Sequence, residues 1–172
     1  IKGAKVLNLF AYTGGASLAA RAGGANVIHC DSIKNVVSWA NANMEASNLK
    51  DIRWLVEDAF KFVKREARRG NLYNGIILDP PAWGHGPKGE KWKLEDMINE
   101  LIAAVAQILD KERYFLVLNS YSLGFSPLVL YDLLHTHFDK GIIKKTEYGE
   151  LYLPEPSGRK LPAGIFARFA NV

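Results

Sequence analysis

The chain has 172 residues, of which 48% are hydrophobic and 23% are charged, and its formal net charge is +4. This length suits one globular domain with a sizeable core, and the composition excludes a disordered or fibrous chain. No apolar run approaches the roughly 20 residues of a membrane-spanning helix, and the mild positive charge permits a nucleic-acid partner without requiring one.

The number of cysteines indicates the cellular compartment, and the first residues indicate the domain organisation. The only cysteine, Cys30, excludes an internal disulfide and a multi-cysteine zinc site, so we predict a reducing, cytoplasmic compartment. The chain opens at Ile1 directly on a predicted strand, without Met or a lead-in. We therefore expect one domain over residues 1–172 that forms the C-terminal part of a longer protein.

The first element is a strand, a glycine turn and a helix. Residues 5–10 are a short apolar run, which predicts a strand buried on both faces. Thr13, Gly14 and Gly15 break this run, and small residues at 16–22 predict a helix. Such a turn brings backbone close to a flat or anionic ligand and offers free N–H donors, although many α/β domains use one for structural purposes alone.

The following elements alternate in the same way. Predicted strands are residues 26–30, 52–56, 73–79 and 114–119, and predicted helices are residues 33–47, 59–69, 94–109 and 126 or 127 to 138. Ser32 is in position to cap the second helix. Residues 82–93 are expected to form a loop, and residues 142–153 and 164–169 an antiparallel closing pair joined by a polar connection at 154–162. Strict alternation implies a parallel sheet with helices on both faces.

Polar residues collect at the predicted strand ends. Asp31, Asp58 and Asp79 follow three strands, and residues 12–15 and 119–121 follow two others. Ligands of parallel sheets bind at the carboxyl ends of the strands, and an acid about twenty residues after a glycine turn suits ribose hydroxyls. Each acid alone is most simply a helix cap, but three on one edge indicate a nucleoside cofactor site.

The segment Asp79-Pro80-Pro81-Ala82-Trp83 is the sharpest chemical signal. Two prolines after a buried strand fix the backbone and remove two donors, which predicts free carbonyl acceptors beside a carboxylate. Such acceptors hold the nitrogen of a planar base, and Trp83 offers a stacking face. The alternative is a rigid turn with a core tryptophan.

Together, Asn8-Leu9-Phe10-Ala11-Tyr12-Thr13-Gly14-Gly15, Asp31, Asp58 and the Asp79 segment resemble class I S-adenosylmethionine-dependent methyltransferases. The resemblance covers almost the whole chain and extends to the ribosomal-RNA branch that forms 5-methylcytosine or 7-methylguanine. It implies a Rossmann-like α/β fold with a seven-stranded, mostly parallel sheet and an antiparallel last strand. It also implies S-adenosylmethionine as cofactor, RNA as partner, and no metal.

The same resemblance implies roles for individual residues. The glycine turn lies under the methionine moiety, Asp31 binds the ribose hydroxyls and Asp58 binds the adenine amino group. The predicted cofactor-binding residues are Asn8, Phe10, Tyr12, Thr13, Gly14, Gly15, Asp31, Ser32, Asp58, Ala59 and Asp79. The predicted catalytic residues are Asp79, Pro80 and Pro81, and the predicted substrate-binding residues are Trp83, Lys88, Lys91, Trp92, Asn119 and Tyr121.

One departure from the family pattern narrows the reaction. Members that methylate C5 of cytosine carry a cysteine near the end of the fifth strand, whereas residues 118–124 here contain no thiol. Cys30 lies on the cofactor side and is expected to be a core residue. Transfer to a nitrogen or oxygen needs only alignment and a proton acceptor, for which Asp79 is the candidate.

The loop at 84–93 contains glycines, lysines and Trp92, which suit contact with a phosphodiester and a base, or a solvated loop with Trp92 packed inward. His85 is a second candidate proton acceptor or an exposed bystander. The basic face at 59–69 is expected to be a solvated helix surface.

Alternative functions are a small-molecule or protein methyltransferase, a nicotinamide dehydrogenase, which the absence of Gly-x-Gly-x-x-Gly disfavours, and a non-catalytic cofactor-binding module. The oligomeric state is left open.

Overall fold

The computed structural model describes residues 2–122, 124–141 and 143–171. Within them, the strands are β1 (Lys5–Leu9), β2 (Asn26–Asp31), β3 (Ile52–Val56), β4 (Gly75–Leu78), β5 (Trp83–His85), β6 (Lys91–Lys93), β7 (Tyr114–Ser120), β8 (Glu147–Pro154) and β9 (Lys160–Asn171). The helices are α1 (Gly15–Ala22), α2 (Lys34–Ala46), α3 (Ala59–Arg68), α4 (Leu94–Ala106) and α5 (Pro127–His137).

Seven strands form one sheet in the order β3-β2-β1-β4-β7-β9-β8. The first five are parallel, and β9 is antiparallel to both β7 and β8. This arrangement confirms the predicted parallel sheet with an antiparallel closing pair. The carboxyl ends of the five parallel strands meet at one edge of the sheet, which we call the rim.

Apolar side chains alternate between the two faces of the sheet, as the 2-residue period of a strand requires. Leu7 of β1 belongs to a cluster with residues of α3, α4 and α5, whereas Val6 belongs to a second cluster with Ala20 of α1 and Met44 of α2. Helices therefore cover both faces, as the alternating pattern predicts. The two-sided core makes the rim a rigid platform for the loops that follow the strands.

Four predicted boundaries were wrong. The expected loop at 82–93 contains a separate antiparallel hairpin, β5–β6. The polar connection spans only residues 155–159, because β8 and β9 pair as far as Pro154 and Lys160. The strand predicted to begin at 73 starts at Gly75, and Tyr73 makes only an isolated bridge to Leu109. The first strand of the closing pair was predicted to begin at residue 142, but residues 143–146 are not in a strand and β8 begins at Glu147. Ile142 itself lies outside the described residues, as do Ile1, Leu123 and Val172.

Candidate active site

A pocket of about 430 Å³ lies at the rim. The strand ends, the double-proline corner and the β5–β6 hairpin all contribute to its walls. Its lining residues are Phe10, Tyr12, Asp31, Ser32, Ile33, Asp58, Ala59, Asp79, Pro81, Trp83, Gly84, His85, Gly86, Trp92 and Tyr121. The three strand-end aspartates thus face one shared cavity.

Asp31 fixes two loops of the pocket at once. Its Oδ2 accepts a hydrogen bond from the backbone N–H of Tyr12 at 2.9 Å, and its Oδ1 accepts one from the N–H of Ile33 at 3.0 Å. Phe10 and Tyr12 adopt φ angles of 54° and 46°, a left-handed region that non-glycine residues rarely occupy. The carboxylate therefore stabilises an unusual turn after β1 while lining the cavity.

The glycine turn itself lies behind the pocket wall. Gly14 has a φ of 91°, and a Cβ there would lie 3.0 Å from Leu18 Cδ1 and 3.1 Å from the Cβ of Ala40. The side-chain amide of Asn43 donates a hydrogen bond to the carbonyl of Thr13 at 2.9 Å. Glycine at 14 thus allows α1 to pack closely against α2. Thr13, Gly14 and Gly15 do not line the pocket.

Asn8 also lies outside the pocket, in a buried polar chain. Its Nδ2 donates a hydrogen bond to Ser17 Oγ at 2.9 Å, and Ser17 Oγ lies 3.0 Å from His29 Nδ1. Burial lowers the pKa of His29 to about 4, against the opposing effect of the Asp31 carboxylate. His29 Nε2 has no partner within the described chain. This series of polar contacts links β1, α1 and β2 beneath the rim.

Asp58 has two roles in the structure. Its Oδ1 accepts a hydrogen bond from the N–H of Lys61 at 2.8 Å and so caps α3. Its second carboxylate oxygen makes no hydrogen bond within the described residues and is available to a ligand. The predicted cap on α2 was wrong, because Ser32 Oγ instead donates a hydrogen bond to the carbonyl of His85 at 3.1 Å.

Of the three strand-end aspartates, Asp79 is the one whose carboxylate has no partner within the described residues. No hydrogen bond or ion pair to its carboxylate occurs within the described chain. Asp79 is an exposed residue, and the pocket walls desolvate its carboxylate only in part, which raises its pKa. The register of β4 against β7 pairs Leu78 with Leu118, which places Asp79 next to Asn119 along the rim. A free carboxylate with a raised pKa is suited to accept a proton.

The double-proline corner differs from its prediction. The Pro81 carbonyl is not free, because the indole Nε1 of Trp92 donates a hydrogen bond to it at 2.7 Å. Pro80 is buried and does not line the pocket. Trp92 is 4% exposed, and its ring centroid lies 4.9 Å from that of Phe10. Trp92 is therefore a wall of the cavity, as the packed-inward alternative predicts.

The β5–β6 hairpin (residues 83–93), which we call the flap, borders the pocket. One side is held by the bond from Ser32 to His85, and the other by an ion pair of 2.6 Å between Lys61 Nζ and Glu90 Oε1. The hydrogen bond from Lys61 is the main reason why the pKa of Glu90 falls to about 2. Trp83 lies on the flap with 64% of its surface exposed, which leaves a ring face open to a substrate.

The structure brings together eleven of the predicted site residues. Those that do not line the pocket are Asn8, Thr13, Gly14, Gly15, Pro80, Lys88, Lys91 and Asn119. Sequence reasoning did not assign Ile33, Gly84 and Gly86, and it left His85 open. The available signal for Ile33 was its position two residues after the strand-end acid Asp31. In the structure its side chain is 54% exposed.

Two expectations about other groups are met. Cys30 is fully buried, and burial raises the pKa of its thiol. The basic face of α3 is largely neutralised by ion pairs, which are Lys61–Glu90, Lys64–Glu100, Arg65–Glu57 and Arg69–Glu66. In the part of the chain that the structure describes, no helix is long and apolar enough to cross a membrane, and no three His, Cys, Asp or Glu side chains group as metal ligands.

Comparison with known proteins identifies the family. A model of S-adenosylmethionine-dependent methyltransferases matches residues 1–109. The chain is 36% identical over 86 residues to ribosomal RNA large subunit methyltransferase I of Photobacterium profundum, a match covering 48% of this chain and 22% of that protein. It is 30% identical over 112 residues to ribosomal RNA large subunit methyltransferase K/L of Shewanella frigidimarina, a match covering 63% and 15%.

A solved structure agrees over nearly the whole chain. The SAM-dependent methyltransferase from Agrobacterium tumefaciens superposes with a TM-score of 0.90 and 37% identity, over 98% of this chain and 56% of that one. The chain spans less than a third of the length of the curated relatives it matches. From the family model and this fold, the chain belongs to the S-adenosylmethionine-dependent methyltransferases.

Proposed function

We propose that this chain transfers the methyl group of S-adenosylmethionine to RNA, at a nitrogen or another atom that needs no thiol nucleophile. The observation that carries the proposal is the shared cavity of Asp31, Asp58 and Asp79, bordered by the exposed rings of Trp83 and Tyr121. The acids suit a nucleoside, and the rings suit a base. The cavity thus has polar groups for the cofactor and, at its border, aromatic rings for the acceptor base.

The pocket residues fit the cofactor. Each oxygen of Asp31 accepts one backbone N–H and keeps a lone pair for a ribose hydroxyl. The free oxygen of Asp58 suits the adenine amino group, and apolar Ile33 suits the adenine ring. S-adenosylmethionine supplies a methyl group on a positively charged sulfur. The protein's own contribution is to orient that group and to exclude water from it.

The acceptor chemistry follows from which groups are present. Cys30, the only thiol of the sequence, is buried on β2, and its thiol donates a hydrogen bond to the carbonyl of Glu57 at 3.6 Å. The residues at the end of β7 are Asn119 and Ser120, neither of which adds to a pyrimidine carbon without an activating base. Asp79 takes the proton that an acceptor nitrogen releases on methylation.

Charge at the rim supports RNA as the substrate. Lys88 and Lys91 on the flap have no carboxylate partner within the described residues, in contrast to most cations of α3. Unpaired cations beside exposed aromatic rings suit a phosphodiester and its bases. The curated relatives named above are ribosomal RNA methyltransferases. We place the activity in the cytoplasm, where ribosomal RNA is available and where a lone thiol stays reduced.

The decisive experiment combines genetics with the purified protein. Mass spectrometry of nucleosides from total RNA should show one methylated nucleoside that disappears when the gene is deleted. Purified protein with labelled S-adenosylmethionine should restore it on RNA from the deletion strain. Labelling of a small-molecule or protein extract, with none of RNA, would refute the RNA assignment. Absence of any heat of binding with S-adenosylhomocysteine would refute the cofactor site.

Asp79 is tested in the same assay. Asp79→Asn should slow transfer by about 10²-fold or more, the usual contribution of a general base, while S-adenosylhomocysteine affinity stays within about threefold. Asp132→Asn is the matched control, because Asp132 is an exposed acid on α5 outside the pocket. Equal rates for the two variants would remove Asp79 from the reaction.

A further inference from the structure

A second groove adjoins the cofactor pocket at the rim. It measures about 450 Å³ and is lined by Ser120, Tyr121, Ser122, Glu150 and residues 162–165. Tyr121 lines both cavities, and its side chain is 61% exposed. A planar group in the groove would therefore lie against the same ring that borders the pocket of Asp79.

The floor of the groove is built by strand register. Ser120 of β7 pairs with Ile165 of β9, and Ile165 pairs with Glu150 of β8. Directly paired residues point to the same face of a sheet, so these three side chains form one row at the end of β7. Gly164 has a φ of 116°, and a Cβ there would lie 2.8 Å from the carbonyl oxygen of Ser120. Glycine thus lets β9 approach β7 at the groove.

Where the structure describes the chain, Glu150 is unpaired, unlike the other acids of β8 and of the turn that joins β8 to β9. Glu147 forms an ion pair of 2.7 Å with Arg168, and Glu155 forms one of 3.4 Å with Arg159. Glu150 has no hydrogen bond or ion pair within the described residues. None of the residues lining the groove is a lysine or arginine. Ser120 is 2% exposed and its Oγ accepts a hydrogen bond from the N–H of Ser122 at 3.2 Å, so it belongs to the floor. The groove thus offers the free carboxylate of Glu150, which suits N–H donors and disfavours a phosphate.

We propose that this groove binds the acceptor base and that Glu150 selects a base with an amino group over uracil. The inference rests on the proposed RNA methyltransferase function and adds its base preference. A carboxylate only accepts hydrogen bonds, and amino groups of cytosine, adenine and guanine donate them. Uracil presents one N–H between two carbonyl oxygens, which the carboxylate repels. Stacking on Tyr121 holds the base beside the cofactor pocket.

The test uses ten-nucleotide homopolymers of cytidine and uridine, with S-adenosylhomocysteine present, and measures affinity by fluorescence anisotropy. The unsubstituted protein should bind the cytidine oligomer at least about fivefold more tightly, the low end of one discriminating base contact. Glu150→Gln should bring the ratio to within twofold of one, because its amide presents a donor to the base. Glu155→Gln, in the turn that joins β8 to β9 and outside the groove, should keep the ratio.

Calorimetry with S-adenosylhomocysteine separates this inference from the function on which it rests. If no protein binds S-adenosylhomocysteine, the cofactor assignment fails. If all three proteins bind it, the base preference is overturned by equal affinities for both oligomers, by no binding of either, or by an unchanged ratio in Glu150→Gln. Thermal unfolding should be unchanged in Glu150→Gln, since the replaced carboxylate is exposed and unpaired in the folded chain.

Discussion

The indole nitrogen of Trp92 and the carbonyl oxygen of Pro81 are joined by a hydrogen bond of 2.7 Å. This bond connects the second strand of the flap to the double-proline corner after β4. The ring of Trp92 also packs on Phe10 at the end of β1. One side chain therefore holds three separate segments of the pocket wall in place.

Replacing Trp92 tests that connection. Trp92→Phe removes the hydrogen bond and part of a buried ring, so the free energy of unfolding should fall by about 1–3 kcal/mol. Urea denaturation measures the loss. Trp39→Phe is the control, because Trp39 is 57% exposed on α2 and should change stability by less than about 0.5 kcal/mol. Similar losses in both variants would contradict the structural role of Trp92.

Asp31 should control cofactor affinity through the loops it holds. Asp31→Ala leaves the N–H groups of Tyr12 and Ile33 without their acceptor, and the affinity for S-adenosylhomocysteine should fall about 10- to 100-fold. Asp31→Asn retains one amide oxygen and should lose less. Calorimetry measures both, with Asp51→Asn as a control outside the pocket. Unchanged affinity in Asp31→Ala would remove this acid from the site.

His29 should make stability depend on pH. The unfolded chain takes up a proton near pH 6.5, whereas the folded ring stays neutral until about pH 4. The contribution of His29 to the free energy of unfolding is therefore fully present above pH 6.5. It is lost as the pH decreases toward 4, by roughly 1.4 kcal/mol per pH unit within that window. Urea denaturation at pH 7 and pH 5 should show this loss, and His29→Asn should reduce it. An undiminished loss in His29→Asn would show that the pH dependence has another source.

Gly164 and Gly158 form a matched pair. Both have positive φ angles, 116° and 84°, but only at Gly164 would a Cβ meet another atom within 4 Å. Gly158→Ala should cost about 1 kcal/mol from backbone strain alone, and Gly164→Ala about 1–3 kcal/mol more, because the carbonyl of Ser120 must move. Thermal and urea unfolding compare the two. Equal losses would show that β9 yields at this position without cost.

The order of elements was predictable because short apolar runs, which form the strands, alternate with longer amphipathic segments, which form the helices. The flap was not, since its strands have three residues each, Trp83–His85 and Lys91–Lys93, separated by a glycine-rich turn. Such short strands carry no period-2 signal, and glycine and lysine are typical of loops. The paired region of the closing hairpin was predicted too short at its turn for a similar reason. Pro154 and Pro162 are residues that usually end a strand, although both lie within paired strands here.

Site residues were predictable where the strand end itself sets their position. Three aspartates reach the pocket because each lies at or just beyond the end of a parallel strand. Asp31 ends β2, Asp79 directly follows β4, and Asp58 lies two residues beyond β3. Asn8 lies one position before the end of β1, and its side chain turns to α1 instead. The direction of a polar side chain within a buried strand depends on which partner lies above it, and the sequence does not specify that partner.

Capping has a consequence for experiments on the two remaining acids. Asp58 supports α3 with one oxygen and faces the cavity with the other, so its removal weakens the fold and the site together. Asp79 makes no hydrogen bond or ion pair to any other part of the described chain, and it is an exposed residue that lines the cavity. Its replacement should therefore leave the architecture intact, so that any defect that follows reports on the pocket itself, either on cofactor binding or on methyl transfer.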